Sequence, residues 1–441
     1  MTEFAFPSEY DDRCRFTLET ALAHMPMYKA WRRFDPGPGH TVDERYAALP
    51  VMTKQHIREH FPAGLLLPDR DLNDGLRNGH VEYVQTSGTT DDRVTLLWHQ
   101  PWWDASERAS WKLNRHAACH ATGTHREVVV ASPRCVGPPR PDDSPLSVRQ
   151  RTLGRLLFVN EKPDVGLWTD GDVARMASEI NEYQPVILEA DPPYLAAFAH
   201  RAAQRGIDVF QPQLIFFTYS YPSRLHMRQI RRVFHAPFSS SHGSTETGYV
   251  FTQCEEGRFH QNVEYCRVDF LPWKRELGGP ATGLLAVTAL NHPWWAILRF
   301  NIGDLGRLET RGPCPCGRRL GVTLAAIAGR VKDVTLTPEG RPVTIETLDA
   351  ALDAARGVVT YQFEQTAADA YVLHAVPDEA VADAEIVSSA EAALRAVYGR
   401  RASITIRLER AIVPEPSGKY RLARPRIPIA TDAFLERRIA C

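Results

Sequence analysis

Val186-Ile187-Leu188, a helical pattern over 193–205, Leu214-Ile215-Phe216-Phe217, and a second helical pattern over 222–235 follow one another in the middle of the chain. This stretch decides the fold class. Strands buried on both faces read as short unbroken apolar runs, because neither face meets water. Helices between such runs are the crossovers that parallel strands require. Working outward, Val128-Val129-Val130 and Leu156-Leu157-Phe158-Val159 extend the strand set, with a helical pattern at 172–182. The alternation predicts an α/β domain with a mostly parallel sheet. Residues 134–147, rich in Pro, Asp and Ser, read as a surface loop.

Toward the N-terminus, residues 13–33 read as a helix that Pro36-Gly37-Pro38-Gly39 breaks. After about residue 330 the texture changes. Ile345, Leu348 and Leu352 lie on one helical face, and Ile386, Ala390, Leu394 and Val397 on another, which Gly399 is suited to cap. Strand patterns lie at 358–364, 369–375 and 403–409. We therefore expect a large N-terminal α/β domain over 1–331 and a small α+β domain over 332–441, within ordinary domain sizes.

Composition removes several function classes. The 441 residues carry 52 basic and 53 acidic side chains, so the formal charge is −1 and no basic surface for nucleic acid is expected. No apolar run approaches the ~18 residues of a membrane span. Met1-Thr2-Glu3-Phe4 has neither a basic nor an apolar leader region, so we expect no secretory signal and a cytoplasmic protein. Eight cysteines in a chain this long do not form a disulfide scaffold. Only seven basic residues are lysines, so each can be weighed singly; Lys419 is the only one after Lys332.

Five segments carry chemistry. Thr86-Ser87-Gly88-Thr89-Thr90 follows the strand-like Val81-Glu82-Tyr83-Val84 and offers clustered hydroxyl and backbone N–H donors to phosphate oxygens. Such turns also occur without any ligand. Ser241-His242-Gly243-Ser244-Thr245-Glu246-Thr247-Gly248 places a carboxylate beside hydroxyls, a set that can hold Mg²⁺ and phosphate or form a capped loop with a solvated Glu246. Asp304, between Gly303 and Gly306, can accept both ribose hydroxyl protons or sit in an ordinary β-turn. Gly329-Arg330-Val331-Lys332-Asp333 marks the change in texture. Pro416-Ser417-Gly418-Lys419-Tyr420-Arg421 puts a lone ammonium in a glycine-containing loop.

In this order and spacing, the five segments resemble the motif set of the adenylate-forming superfamily, which includes acyl-CoA synthetases, nonribosomal peptide adenylation domains and firefly luciferase. The phenylacetate-CoA ligase branch is the most similar, on four features: the short chain, Asp191-Pro192-Pro193-Tyr194-Leu195, the Cys254/His260 pair and Pro313-Cys314-Pro315-Cys316-Gly317-Arg318. The resemblance runs from Leu49-Pro50 to the Lys419 loop.

Carried over residue by residue, it implies that Ser87, Gly88, Thr89 and Thr90 form the phosphate loop. Thr245 contacts phosphate, Glu246 holds Mg²⁺, and His242 with Gly243 takes the position beside adenine. Asp304 and Arg330 hold the ribose. Lys332 is the hinge of a mobile C-terminal domain, and Lys419 bridges the carboxylate and the α-phosphate. Implied ligands are ATP, Mg²⁺, CoA and a carboxylic acid, aromatic or similarly compact; the oligomeric state stays open, a dimer included. Similar proteins of this branch also pair the cysteine positions. Cys254, His260, Cys314 and Cys316 would then make a structural Zn²⁺ set; the bland alternative is two turn cysteines and two unrelated buried residues. Cys14, Cys119, Cys135, Cys266 and Cys441 take no role.

The sequence departs from the family pattern in places. Asp91-Asp92-Arg93-Val94 makes the phosphate-loop tip more acidic than usual. His242 replaces a tyrosine, Asn301-Ile302 an Arg-Thr pair, and Tyr219-Ser220-Tyr221-Pro222 a Gly-Glu turn beside adenine. The leading expectation is an acid:CoA ligase. The alternatives are adenylation with a non-CoA acceptor (a carrier-protein thiol or an amine) or of another oxyanion, a nucleotide-binding regulator without turnover, and a purely structural zinc module.

Overall fold

Four of the apolar runs become parallel strands in a computed structural model, which describes residues 4–86, 93–138 and 144–436. The chain divides into two units: Met1–Thr122, Ser241–Ile327 and Ala430–Cys441 in the first, Gly123–Ser240 and Ala328–Ile429 in the second.

In the second unit, Glu127–Val130 pairs in parallel with Leu156–Phe158 on one side and Ile187–Ala190 on the other. Leu214–Phe217 follows, then residues 238–240 of the strand Phe238–Ser244. Helices Asp170–Tyr183, Pro192–Gln204 and Arg224–Ile230 come between the strands in sequence. Thr169 starts the first through a capping box, accepting from the Asp172 N–H, and Gln184 in the left-handed region ends it. Val128, Leu188, Ile215 and Phe217 from the strands meet Val173, Ile180, Leu195 and Phe198 from the helices in one buried core. Truncating Phe198 to alanine would cost about 3–5 kcal/mol, since the cavity could not fill.

The same unit holds a four-stranded sheet, in the order Ser403–Leu408, Ala370–Pro377, Val358–Gln365, Ala423–Pro425. Helices Ile345–Leu352 and Asp383–Tyr398 bury Leu348, Leu352, Ile386, Ala390 and Leu394 against it. Gly399, with φ of 77°, ends the second helix, as its position in the sequence suggests.

The first unit is antiparallel. Its strands run in the order Cys266–Pro272, Thr282–Ala289, Phe300–Leu308, residues 323–327 of Thr323–Arg330, Phe259–Gln261, Gly248–Gln253, and then residues 241–244 of Phe238–Ser244. The expectation of a mostly parallel sheet therefore holds for the second unit only. These strands mix polar and small residues with apolar ones and so escape a search for apolar runs. The helix expected over 13–33 is also two elements, an α-helix at Tyr10–His24 and a 3₁₀-helix at Pro26–Phe34. Pro26 lacks the N–H that would continue the first helix and keeps Met25 extended, at φ −93° and ψ 127°. Among the described residues, no helix is long and apolar enough to cross a membrane.

Candidate active site

The strand Phe238–Ser244 reverses through Thr245-Glu246-Thr247 into Gly248–Gln253. The reversal needs glycine at two places. A Cβ on Gly243 would stand 2.1 Å from the Gly248 carbonyl oxygen. Gly248 has φ of 72°, and a Cβ there would meet the Trp102 ring at 2.8 Å. The Thr247 N–H donates to the Ser244 carbonyl at 3.1 Å, and the two side-chain hydroxyls lie 2.9 Å apart. Glu246 at the turn is 5 % exposed, so it is not a solvated loop residue. The Lys54 ammonium stands 4.0 Å from its Oε1.

Asp304 is also not in a β-turn. It lies in the strand Phe300–Leu308 and is buried. The pairing with Thr282–Ala289 shifts register between Leu284↔Leu305 and Ala286↔Asn301, and Gly303 takes φ of 80° within that bulge. The Asn301 Oδ1 accepts from the Gly303 N–H at 2.8 Å. A bulge re-aims the side chain that follows it. Here it brings Asp304 Oδ2 within 3.5 Å of His242 Nε2. The neighbouring Ser241 Oγ is buried with no hydrogen-bond partner among the described residues. A polar patch with an unsatisfied hydroxyl and a carboxyl group fits a nucleoside better than a closed core does.

Cys254, His260, Cys314 and Cys316 converge in the same unit, their ligand atoms all within 4.8 Å of one another. Cys254 Sγ lies 3.7 Å from Cys314 Sγ, and Cys316 Sγ 3.3 Å from His260 Nε2. The first separation is far beyond a disulfide. It matches the edge of about 3.8 Å that a tetrahedron with Zn–S bonds of about 2.3 Å requires. Burial first, and then the Arg318 guanidinium, lower the His260 pKa to about 4, so its ring is neutral at neutral pH. Its Nδ1 lies 3.4 Å from Thr323 Oγ1, an outer contact that orients a ligating imidazole. Three thiols and a neutral imidazole, largely closed to solvent, fit a structural zinc.

In the second unit, Gly418 and Lys419 lie against the carboxyl ends of parallel strands. Ser132 follows Glu127–Val130, and Asp191 follows Ile187–Ala190. Gly418 has φ of 82°, and a Cβ on it would stand 1.9 Å from Ser132 Oγ. Only glycine allows this approach. The Tyr194 hydroxyl donates to the Gly418 carbonyl at 2.7 Å, and the Cys135 thiol to the Ser417 carbonyl at 3.0 Å. The loop is closed on itself by Glu415, whose N–H donates to the Lys419 carbonyl at 2.9 Å. Burial lowers the Lys419 pKa and Arg330 lowers it further, while Cys135 and Asp191 act the other way. Arg330 and Lys332 are exposed. Arg421 donates to Asp333 Oδ1 at 2.9 and 2.6 Å and to the Lys332 carbonyl at 3.0 Å.

No family model and no curated protein matches the chain. Solved structures do. 2-Hydroxyisobutyryl-CoA ligase, in the postadenylation state with R3-HIB-AMP, matches with a TM-score of 0.69 at 18 % identity, over 95 % of this chain and 90 % of that one. The same ligase with 2-HIB-AMP and CoA in the thioesterification state matches with a TM-score of 0.55 at 18 % identity, over 96 % and 91 %. The amide bond synthetase McbA from Marinactinospora thermotolerans matches with a TM-score of 0.51 at 15 % identity, over 77 % and 67 %. The chain has the fold of these enzymes.

Within that fold, the structure brings His242 to Asp304, Glu246 to Lys54, and the four Cys/His residues to one another. In the second unit it gathers Lys419, Arg330 and Lys332. Thr245 is half-buried in the reversal and Gly243 is exposed. Ser87, Gly88, Thr89 and Thr90 lie outside the described residues; before them, Thr86 Oγ1 accepts from the Val94 N–H at 3.1 Å. The surroundings of three residues escaped sequence reasoning. Lys54 had a signal, being one of few lysines. Asp191 is 1 % exposed, with neither oxygen hydrogen-bonded among the described residues. Tyr219 takes φ of 69° and donates to Glu189 Oε1 at 2.5 Å, where Thr218 Oγ1 also donates at 3.1 Å.

Proposed function

We propose that the chain activates a carboxylic acid with ATP, forming an acyl-adenylate and pyrophosphate, and then transfers the acyl group to CoA. The observation that carries this reading is the docking of the Gly418-Lys419 loop at the carboxyl ends of parallel strands, where ligands of open α/β sheets bind. A carboxylate attacking the α-phosphate brings two anions together, and the Lys419 ammonium offsets that charge as it develops. Asp304 and Arg330 take the ribose, and His242 the adenine face. Ser87, Thr89, Thr90 and Thr245 take phosphate oxygens, which orients the leaving group. Glu246 would hold Mg²⁺, which when bound neutralises phosphate charge.

Lys332 is the hinge residue of a domain over 332–441 that turns between the two half-reactions. The Arg421 contacts to Asp333 and the Lys332 carbonyl brace that point. The zinc set joins the segment after Glu246 to the segment after Asp304 and is structural. Its convergence supports the phenylacetate-CoA ligase-like branch, and the resemblance to that branch is what implies an aromatic or compact acid.

One observation favours a non-CoA acceptor. Tyr219, in the left-handed region with its hydroxyl on Glu189, stands in the turn where the family pattern has Gly-Glu. An amine acceptor is in keeping with that changed turn.

The test is pyrophosphate release from Mg-ATP with a panel of aryl and aliphatic acids, each with hydroxylamine and then with CoA. Acid-dependent release with hydroxamate trapping supports adenylation, and a thioester identifies CoA as acceptor. Trapping without a thioester favours the amine or carrier-protein acceptor. Absence of release with every acid, together with absence of ATP binding, overturns the reading.

A further inference from the structure

Asp191 is a buried acid that does not cap the helix it begins. It precedes the helix Pro192–Gln204 at the N-cap position, yet its side chain makes no capping hydrogen bond. Pro192 and Pro193 at the first two helical positions have no N–H to offer, and the third, the Tyr194 N–H, donates to the Asp191 carbonyl at 3.0 Å instead. Both carboxylate oxygens are buried and lack a hydrogen-bond partner among the described residues. A carboxylate so placed is costly unless a charge compensates it.

Beyond the Ser220 hydroxyl, the residues around it point to one compensating charge. Tyr194, one turn along the same helix, donates its hydroxyl to the Gly418 carbonyl at 2.7 Å. Ser132 lies against the Gly418 α-carbon, at the end of the neighbouring strand. The loop that carries Lys419 is thus fixed beside the helix start that carries Asp191. Arg330 and Lys332 both repel the Lys419 ammonium. The other titratable groups that feel Asp191 are the Cys135 thiol and the Tyr194, Tyr219 and Tyr420 phenols, all pushed up by burial and neutral at pH 7. Burial raises Asp191 itself to about 7, with the Ser220 hydroxyl first and then Lys419 opposing the rise.

We propose that Asp191 is a positioning residue for Lys419: its buried carboxylate is the counter-charge that keeps the ammonium docked against the repulsion of two nearby cations until a substrate carboxylate replaces it. The role given to Lys419 rests on the function proposed above. The pairing of Asp191 with Lys419 does not. The second clause has a consequence of its own, since an incoming carboxylate leaves Asp191 without its cation and favours uptake of a proton there.

The experiment is competitive labelling of the full chain with trace acetic anhydride between pH 6 and 11, read by peptide mass spectrometry. Exposed Lys112 is the reference and Lys332 the neighbouring control. In Asp191→Asn the Lys419 titration midpoint should fall by about one pH unit, with Lys112 and Lys332 unmoved. Asp191→Glu should restore part of the shift. An unchanged Lys419 midpoint in folded Asp191→Asn overturns the proposal. Should that variant not fold, Lys419→Met gives the reciprocal reading. With the ammonium gone, ionised Asp191 becomes costlier to bury, so the Tm of the variant relative to wild type should decline from pH 6 to 8.5; parallel curves overturn the pairing. Neither measurement uses ATP or an acid, so failure of this inference and failure of the adenylation reading are separate results.

Discussion

His242 Nε2 and Asp304 Oδ2 face each other at 3.5 Å. The residues proposed for the adenine and ribose positions form one polar patch, made by a strand end and a β-bulge in the same unit. Asp304→Asn keeps the shape of the side chain and removes its charge. It is expected to weaken ATP binding about tenfold, the worth of one hydrogen-bond system to a charged group. Calorimetric titration with ATP checks this; wild-type affinity in the variant would remove Asp304 from the nucleotide site.

Purified protein is expected to carry about one zinc per chain by elemental analysis. Cys314→Ser leaves a buried set of three ligands, so bound metal should be lost and Tm lowered by on the order of 5–10 °C. Full zinc content in that variant would exclude Cys314 from the metal set.

Lys419→Ala is expected to cut acid-dependent pyrophosphate release by about a hundredfold or more, the scale of removing a charge aimed at the transition state. Thioester formation from supplied acyl-adenylate should persist, because that step has no need of the Lys419 ammonium. Equal loss of both half-reactions would point to a folding defect or to a different role.

His226, in the helix Arg224–Ile230, is 1 % exposed, and its Nε2 lies 3.1 Å from Thr360 Oγ1. Burial lowers its pKa to about 4. The unfolded chain therefore takes up a proton near the ordinary value of about 6.5 that the folded chain refuses until about 4. Stability contributed by the neutral ring is present above pH ~6.5 and is lost as pH falls toward 4, by up to about 3 kcal/mol. The difference in unfolding free energy between wild type and His226→Gln should shrink or reverse over that window in urea melts. A difference independent of pH would show that burial does not suppress the charge.

Sequence alone determined what depends on neighbours along the chain. The runs at 128–130, 156–159 and 214–217 were legible as strands because burial on both faces leaves no polar alternation to blur them. The helices at Ile345–Leu352 and Asp383–Tyr398 were legible because their apolar residues repeat at the helical period. Order along the chain also exposed the motifs that carry Glu246, Asp304, Arg330 and Lys419. Tertiary structure alone decided which of these meet. The antiparallel strands of the first unit owe their state to long-range pairing, as the bulge at Gly303 shows: locally it reads as a turn. Lys54 reaches Glu246, Cys254 reaches Cys314, and Asp191 stands beside the Lys419 loop across large gaps in the chain. Sequence spacing carries no distance information across such gaps, because the chain between can close in many ways at similar entropic cost. Burial of the strands and helices around them selects one closure, and with it the contacts on which the chemistry depends.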